Sequence, residues 1–139
     1  MLEVAMTAAT PTLERYEAEI GPLASRYIGV EDLPWKPTPT PGIDMKILLQ
    51  DEDTGLLTAL FRWQPNTKLG RHVHVEIEQS YILEGSIEDE EGISTAGNFV
   101  WRPKGNKHAP WSNEGCLLIA FFLKPNRFIE GALDGVELK

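Results

Sequence analysis

His72-Val-His74-Val-Glu-Ile-Glu78-Gln-Ser-Tyr-Ile-Leu-Glu-Gly85 is the stretch on which the fold reading turns. Side chains on a strand alternate between its faces, so His72 and His74 point to one side. Val75-Glu76-Ile77 reads as a turn, and Glu78–Leu83 as the next strand. Glu78 opens that strand and can aim at the point the two imidazoles face. The remaining histidine, His108, follows Pro103-Lys-Gly-Asn-Lys107, a tight turn into a further strand. Three imidazoles and one carboxylate converging on a point suit a first-row divalent metal.

Working outward, the flanking sequence has the same texture of short apolar runs between turn signals. Ile43–Gln50 and Leu56–Trp63 read as strands joined by the loop Asp51-Glu-Asp-Thr-Gly55. Gly85, Gly92, Gly97 and Gly105 punctuate the chain beyond the histidine pair, and Cys116–Leu123 is the most apolar strand. Twelve glycines and ten prolines in 139 residues suit many short strands better than a helical bundle. The fold class is therefore all-β, an antiparallel sandwich or barrel over residues 43–139. Residues 1–42 read as an arm packed on it. Thr10 or Thr12 caps a short helix there, with Leu13, Tyr16, Ile20, Leu23 and Tyr27 at helical spacing until Gly21-Pro22 interrupts. Leu33–Gly42, with four prolines, is extended, and Trp35 pins it to the body.

In Cys116–Leu123 both strand faces are apolar. One lines the interior. The other calls for a second sheet, the arm or another subunit, which makes a homodimer the expectation. The lone cysteine, Cys116, excludes an internal disulfide and a Cys-rich zinc module, and reads as a buried core thiol. A net charge of −8 argues against nucleic acid or an anionic membrane surface as partner. No run approaches the length that spans a bilayer, and Glu3 stands where a signal peptide would carry a basic residue. The expected setting is cytoplasmic.

The spacing His72-x-His74-x3-Glu78-x6-Gly85, with Gly97-x5-Pro103-x-Gly105-x2-His108 after it, resembles the paired motifs of the cupin superfamily. Asn66 stands where the first motif opens with glycine, and Asn tolerates a positive φ there. Ser112 stands where the second motif ends with asparagine. Trp35-Lys-Pro, Gly97-Asn-Phe-Val-Trp-Arg-Pro103 and His108-Ala-Pro-Trp-Ser112 resemble one branch. It holds acetylacetone-cleaving and 2,4'-dihydroxyacetophenone-cleaving dioxygenases and the cupin domain of chromate-resistance-type anti-sigma factors. The resemblance implies a jelly-roll β-barrel with one divalent metal in its mouth, held by His72, His74, Glu78 and His108. In some cupins the carboxylate binds the metal; in others three histidines hold it and the acid stands behind them.

Fe(II) is the favoured ion, with zinc, nickel and manganese as alternatives. The leading expectation is a mononuclear Fe(II) dioxygenase that cleaves a carbon–carbon bond of a small diketone or hydroxyaryl ketone. A non-catalytic metal-binding sensor or ligand-binding cupin is the second, and a metal-dependent isomerase, lyase or decarboxylase the third. An anti-sigma factor carries a helical domain ahead of its cupin, and residues 1–42 read as too short and too Pro-rich for that. Strand parity puts Ser80 and Ile82 with Glu78 in the pocket, and Ile119, Phe121 and Leu123 on one candidate wall. Either Arg102 with Val100, or Phe99 with Trp101, points inward. An inward Arg102 could pair with Glu78 or hold a substrate oxygen. Trp63, Trp101 and Trp111 are candidates for an aromatic wall. With all histidines assigned to metal and no nucleophile set or dinucleotide fingerprint, catalysis should centre on the metal.

Overall fold

The computed structural model describes residues 7–129 and Gly135. Its strands in chain order are β1 (Ala8–Ala9), β2 (Lys36–Pro37), β3 (Ile43–Asp51), β4 (Leu56–Trp63), β5 (Thr67–Lys68), β6 (His72–Val73), β7 (Glu78–Asp89), β8 (Gly92–Thr95), β9 (Phe99–Arg102), β10 (Lys107–His108), β11 (Trp111–Ser112), β12 (Cys116–Phe122) and β13 (Arg127–Phe128). The all-β expectation holds. One antiparallel sheet runs β1-β3-β4-β12-β7-β11-β5, with β2, β8 and β9 joined at its sides, and curls into a half-barrel. A small sheet, β10-β6-β13, carries His72 and His108. Among the described residues no helix is long and apolar enough to cross a membrane.

The core forms because the strands alternate. On β4 the inward residues Leu57, Ala59, Phe61 and Trp63 are buried, and their neighbours are half-exposed. They meet Ile43, Met45 and Ile47 from β3 and Leu118, Ala120 and Phe122 from β12. Phe61 and Phe122 pack edge to face, with ring centroids 6.0 Å apart. Cys116 lies in this core, and burial pushes its thiol up to about 12, which suits an inert packing residue.

The two apolar faces of β12 could not be told apart by pattern, and the structure chooses the face opposite to Phe121. Residues paired directly across antiparallel strands share a face. Leu118 pairs with Ile82, Ala120 with Ser80 and Phe122 with Glu78, so the even positions look inward. Phe122 is 5% exposed and Phe121 is 41% exposed.

Strand β7 makes the corner of the molecule. Its first half pairs with β12 and β9, and its second half with β8 and, at Glu88, with β11. The turn-over falls at Gly85, where φ is +72° and a Cβ would stand 2.0 Å from the Gly115 carbonyl oxygen. The register with β12 also shifts between Leu117 and Leu118, so one residue of β7 is left over as a bulge.

The arm differs from its sequence reading in detail. Its helix covers only Glu14–Glu19, with Leu13 at the N-cap and no side-chain capping bond. Thr10 instead donates its hydroxyl to the Leu48 carbonyl at 2.7 Å, and Leu23 and Tyr27 are exposed rather than on a buried helix face. The chain breaks from the helix before Gly21-Pro22, so the helical spacing of Leu23 and Tyr27 has no helix to act through. Backbone pairing holds the arm: Ala8 and Ala9 pair with Asp51 and Gln50, and Lys36 and Pro37 with Met45 and Asp44. Trp35 pins it as expected, with the Arg62 guanidinium 4.1 Å and the Lys46 ammonium 5.0 Å from its ring centroid.

Gly85→Ala should lower stability by about 3 kcal/mol or more, since backbone must move to admit a Cβ. Gly92→Ala, with open space around it, should stay within about 0.5 kcal/mol of the parent. Urea unfolding of both variants measures the difference.

Candidate metal centre

His72 lies on the middle strand of the small sheet, paired across to His108 on one side and Phe128 on the other. His74 comes just after β6. Its backbone N–H donates to the Asn106 carbonyl at 2.9 Å, and its carbonyl accepts from Gly105 N–H at 2.8 Å. The Pro103–Lys107 turn therefore fixes His74 as well as delivering His108. Asn66 has φ +59°, the left-handed conformation that its place in the loop demands.

The three imidazoles are buried, and one ligand atom from each lies within 4.8 Å of the others. Ring centroids are 4.5 to 4.9 Å apart. Burial is the leading cause that lowers all three histidines from their ordinary value, to about 4 for His72 and about 3 for His74 and His108. Near neutral pH they are uncharged, the form that binds metal.

The hydrogen bonds then locate the ring protons. His72 Nδ1 lies 2.9 Å from the Gly70 carbonyl oxygen, and His108 Nδ1 lies 2.8 Å from Asp89 Oδ2. Both partners only accept, so both Nδ1 atoms carry the proton and both Nε2 atoms are bare. His74 Nε2 stands 2.9 Å from the bare His108 Nε2 and must donate to it. That leaves His74 Nδ1 without a proton, 3.1 Å from Glu78 Oε2 and out of line for a hydrogen bond. Two acceptors face each other there. A cation between the Nε2 atoms would remove the conflict, because the His74 proton could then sit on Nδ1 against Glu78. The donor set fits a divalent metal ion for this reason.

Glu78 stands at the edge of the cluster, outside the group of three. Its Oε1 accepts from Ser80 Oγ at 2.9 Å and from Arg102 at 3.3 Å, while Oε2 faces His74. Arg102 points inward, one of the two alternatives that strand parity left open. Its other terminal nitrogen is 3.7 Å from Asp89 Oδ2. Burial acts on Asp89 in the upward direction, but the Glu91 N–H, His108 and Arg102 together hold its carboxyl below the usual range.

A cleft opens from the cluster into the barrel, with ≈ 660 Å³ of atom-free space, part of it open to solvent. Its wall includes Phe61, Trp63, Leu118 and Phe122, and its polar side chains include Ser80, Arg102 and Asn126. Of the residues expected to line it, Ser80 and Arg102 do. Phe121 does not, because it lies on the outer face, and Phe122 takes that place. Ile82 is fully buried in the core and does not reach the cleft. Trp63 contributes, whereas Trp101 is exposed on the outer face.

Asp89, Asn126 and the arm residues Thr38, Pro39 and Thr40 escaped the sequence reading. The arm residues form part of the cleft wall. Asn126 is buried, and its Oδ1 has no hydrogen-bond partner among the described residues. With Glu76, Glu88, Glu90 and Glu91, Asp89 reads in the sequence as a surface acid, but the structure turns it inward against His108: inward residues are even before Gly85, whereas Ile87 and Asp89 are the inward ones after the bulge.

Fold and site together define a small cupin with a candidate three-histidine metal centre. The sequence matches the ChrR Cupin-like domain family over residues 24–125, and the chain belongs to that family. The match includes the Pro-rich arm. No curated protein matches the sequence. Among solved structures, the chain is similar to an RmlC-like cupin of Ralstonia eutropha JMP134 (17% identity, TM-score 0.74, 89% of this chain and 82% of that one). It is also similar to an acetylacetone dioxygenase of Acinetobacter johnsonii (20%, 0.72, 84% and 85%). A third likeness is to the Rhodobacter sphaeroides complex of SigE with the anti-sigma factor ChrR (21%, 0.59, 88% and 70%). At these identities the likenesses show the fold.

Burial of the histidines predicts a pH dependence. Their folded values lie below the unfolded value of about 6.5, so the unfolded chain binds more protons below that pH. Stability of the metal-free protein should be full above about pH 6.5 and fall toward pH 4, by up to about 1.4 kcal/mol per pH unit for each histidine. Urea unfolding between pH 7.5 and pH 4.5 measures it, and a flat profile would contradict neutral buried rings.

Proposed function

We propose that this chain is a mononuclear metal-dependent enzyme, an Fe(II) dioxygenase that cleaves a carbon–carbon bond of a small diketone or hydroxyaryl ketone. The observation that carries the reading is three buried imidazoles clustered within ligand distance of one another, two of them lining an apolar cleft, with one guanidinium beside them. His72, His74 and His108 would hold the ion, with Glu78 behind His74 as its carboxylate partner. Bound there, a divalent iron supplies Lewis acidity and a site for dioxygen chemistry.

The protein's own groups favour an anionic chelating substrate. Glu78 and Asp89 bring two negative charges against the single positive charge of Arg102. A divalent ion leaves this buried set with one positive charge in excess, which a monoanion such as an enolate offsets. Phe61, Trp63 and Phe122 exclude water and seat an apolar or aromatic substituent. Asn126 adds a polar side chain to the same space, close enough to His74 to act on its imidazole.

A second reading, a metal-binding sensor without turnover, is favoured by the family to which the chain belongs. The experiment that separates them is anaerobic Fe(II) loading and then dioxygen uptake with a panel of β-diketones and hydroxyaryl ketones. Uptake with carbon–carbon cleavage supports the enzyme. No uptake across the panel, with iron bound, leaves the sensor. His72→Ala and His108→Ala should lose tight metal binding, and Glu78→Ala should weaken it by about 10- to 100-fold; metal content after dialysis checks both.

We also read the chain as a cytoplasmic homodimer. The outer sheet face exposes Tyr81, Phe99, Trp101 and Phe121, which lie on neighbouring strands. Light scattering should give twice the chain mass, and Trp101→Glu should shift it toward one.

A further inference from the structure

We propose that Asp89 is the positioning residue of the metal centre, setting the tautomer of His108 so that its Nε2 is bare and faces the other imidazoles. The inference rests on the metal reading above and adds a residue outside the histidine and glutamate motifs.

The carboxylate of Asp89 is held from every side. Oδ1 accepts from the backbone N–H of Glu91 at 2.8 Å and of Gly92 at 3.2 Å, in the turn that ends β7. Oδ2 accepts from His108 Nδ1 at 2.8 Å and faces Arg102 at 3.7 Å. The side chain is 9% exposed. Turn and guanidinium therefore orient it without help from His108. The group that yields to the other is the imidazole, which must place its proton on Nδ1.

This arrangement makes the effect of an isosteric change specific. In Asp89→Asn one end of the side chain becomes a donor. If the turn keeps the amide oxygen, the NH2 faces His108 Nδ1, where a proton can no longer sit, and the imidazole must carry it on Nε2. If the amide turns over, its NH2 opposes the Glu91 and Gly92 N–H groups. The first orientation satisfies two backbone donors within hydrogen-bond distance and costs one tautomer and the looser 3.7 Å contact with Arg102, so it prevails. Asp89→Ala removes the acceptor without presenting a donor, so it leaves the His108 tautomer free rather than reversed.

The test uses the full chain. Long-range ¹H–¹⁵N spectra of the metal-free protein near neutral pH report the His108 tautomer, and Co(II) titration reports metal affinity and the ligand field. Wild type should show the Nδ1–H form. Asp89→Asn should show Nε2–H and lose about 10- to 100-fold in Co(II) affinity, with a changed visible spectrum; Asp89→Ala should lose less. That order sets a tautomer effect apart from a packing effect, which would make the larger truncation worse. Should Asp89→Asn fail to fold, Asp89→Ala decides: a mixed tautomer with weakened Co(II) binding supports the role. An Nδ1–H form and Co(II) affinity unchanged from wild type in the folded variants overturn it, as does a tautomer change without loss of affinity. A wild type that takes up no Co(II) while showing Nδ1–H on His108 would instead sink the metal reading.

Discussion

One guanidinium ties together the two ends of a strand that, drawn straight, would lie about 36 Å apart. Arg102 stands 3.3 Å from Glu78, the first residue of β7, and 3.7 Å from Asp89, the last. That closure requires β7 to curl sharply, and Gly85 is where it does so. The rest of the site depends on this bend. Glu78 reaches His74 from one end of the strand, Asp89 reaches His108 from the other, and the apolar cleft lies inside the curve.

The centre has a consistent electrostatic plan. Each imidazole has an acceptor oxygen near Nδ1: the Gly70 carbonyl for His72 and Asp89 for His108 within hydrogen bonds, and Glu78 beside His74 but out of line for one. Such partners hold a ligating ring in the tautomer that presents its other nitrogen. Two of the acceptors carry charge, and both are tied to Arg102, which keeps a pair of buried carboxylates from standing unpaired. The polar conflict at His74 Nδ1 falls where a cation would relieve it.

The elements most legible in the sequence were those with a strict local pattern. Alternation on Leu56–Trp63 gave the strand and its buried face together. His72-x-His74 and the glycine-bearing turn before His108 placed three ligand candidates on one side of the fold. Asn66 takes the left-handed conformation expected of it. Patterns failed where two answers had equal hydrophobicity. Phe121 and Phe122 are chemically alike, and only pairing with Glu78 selects Phe122. Parity failed at Asp89 because a bulge near Gly85 changes the count, and nothing in the residues Glu88–Glu91 separates the buried acid from its exposed neighbours.

What the chain alone determined, then, was an all-β body, a three-histidine constellation and an apolar closing strand, since each is written in the spacing of residue types along short stretches of the sequence. Tertiary structure decided which nitrogen of each imidazole is bare, that Glu78 stands beside the cluster, that Asp89 and Arg102 belong to the site, and which face of β12 lines the cleft. These depend on how strands distant in sequence register against one another, and a single bulge or bend there reverses which side chains point inward.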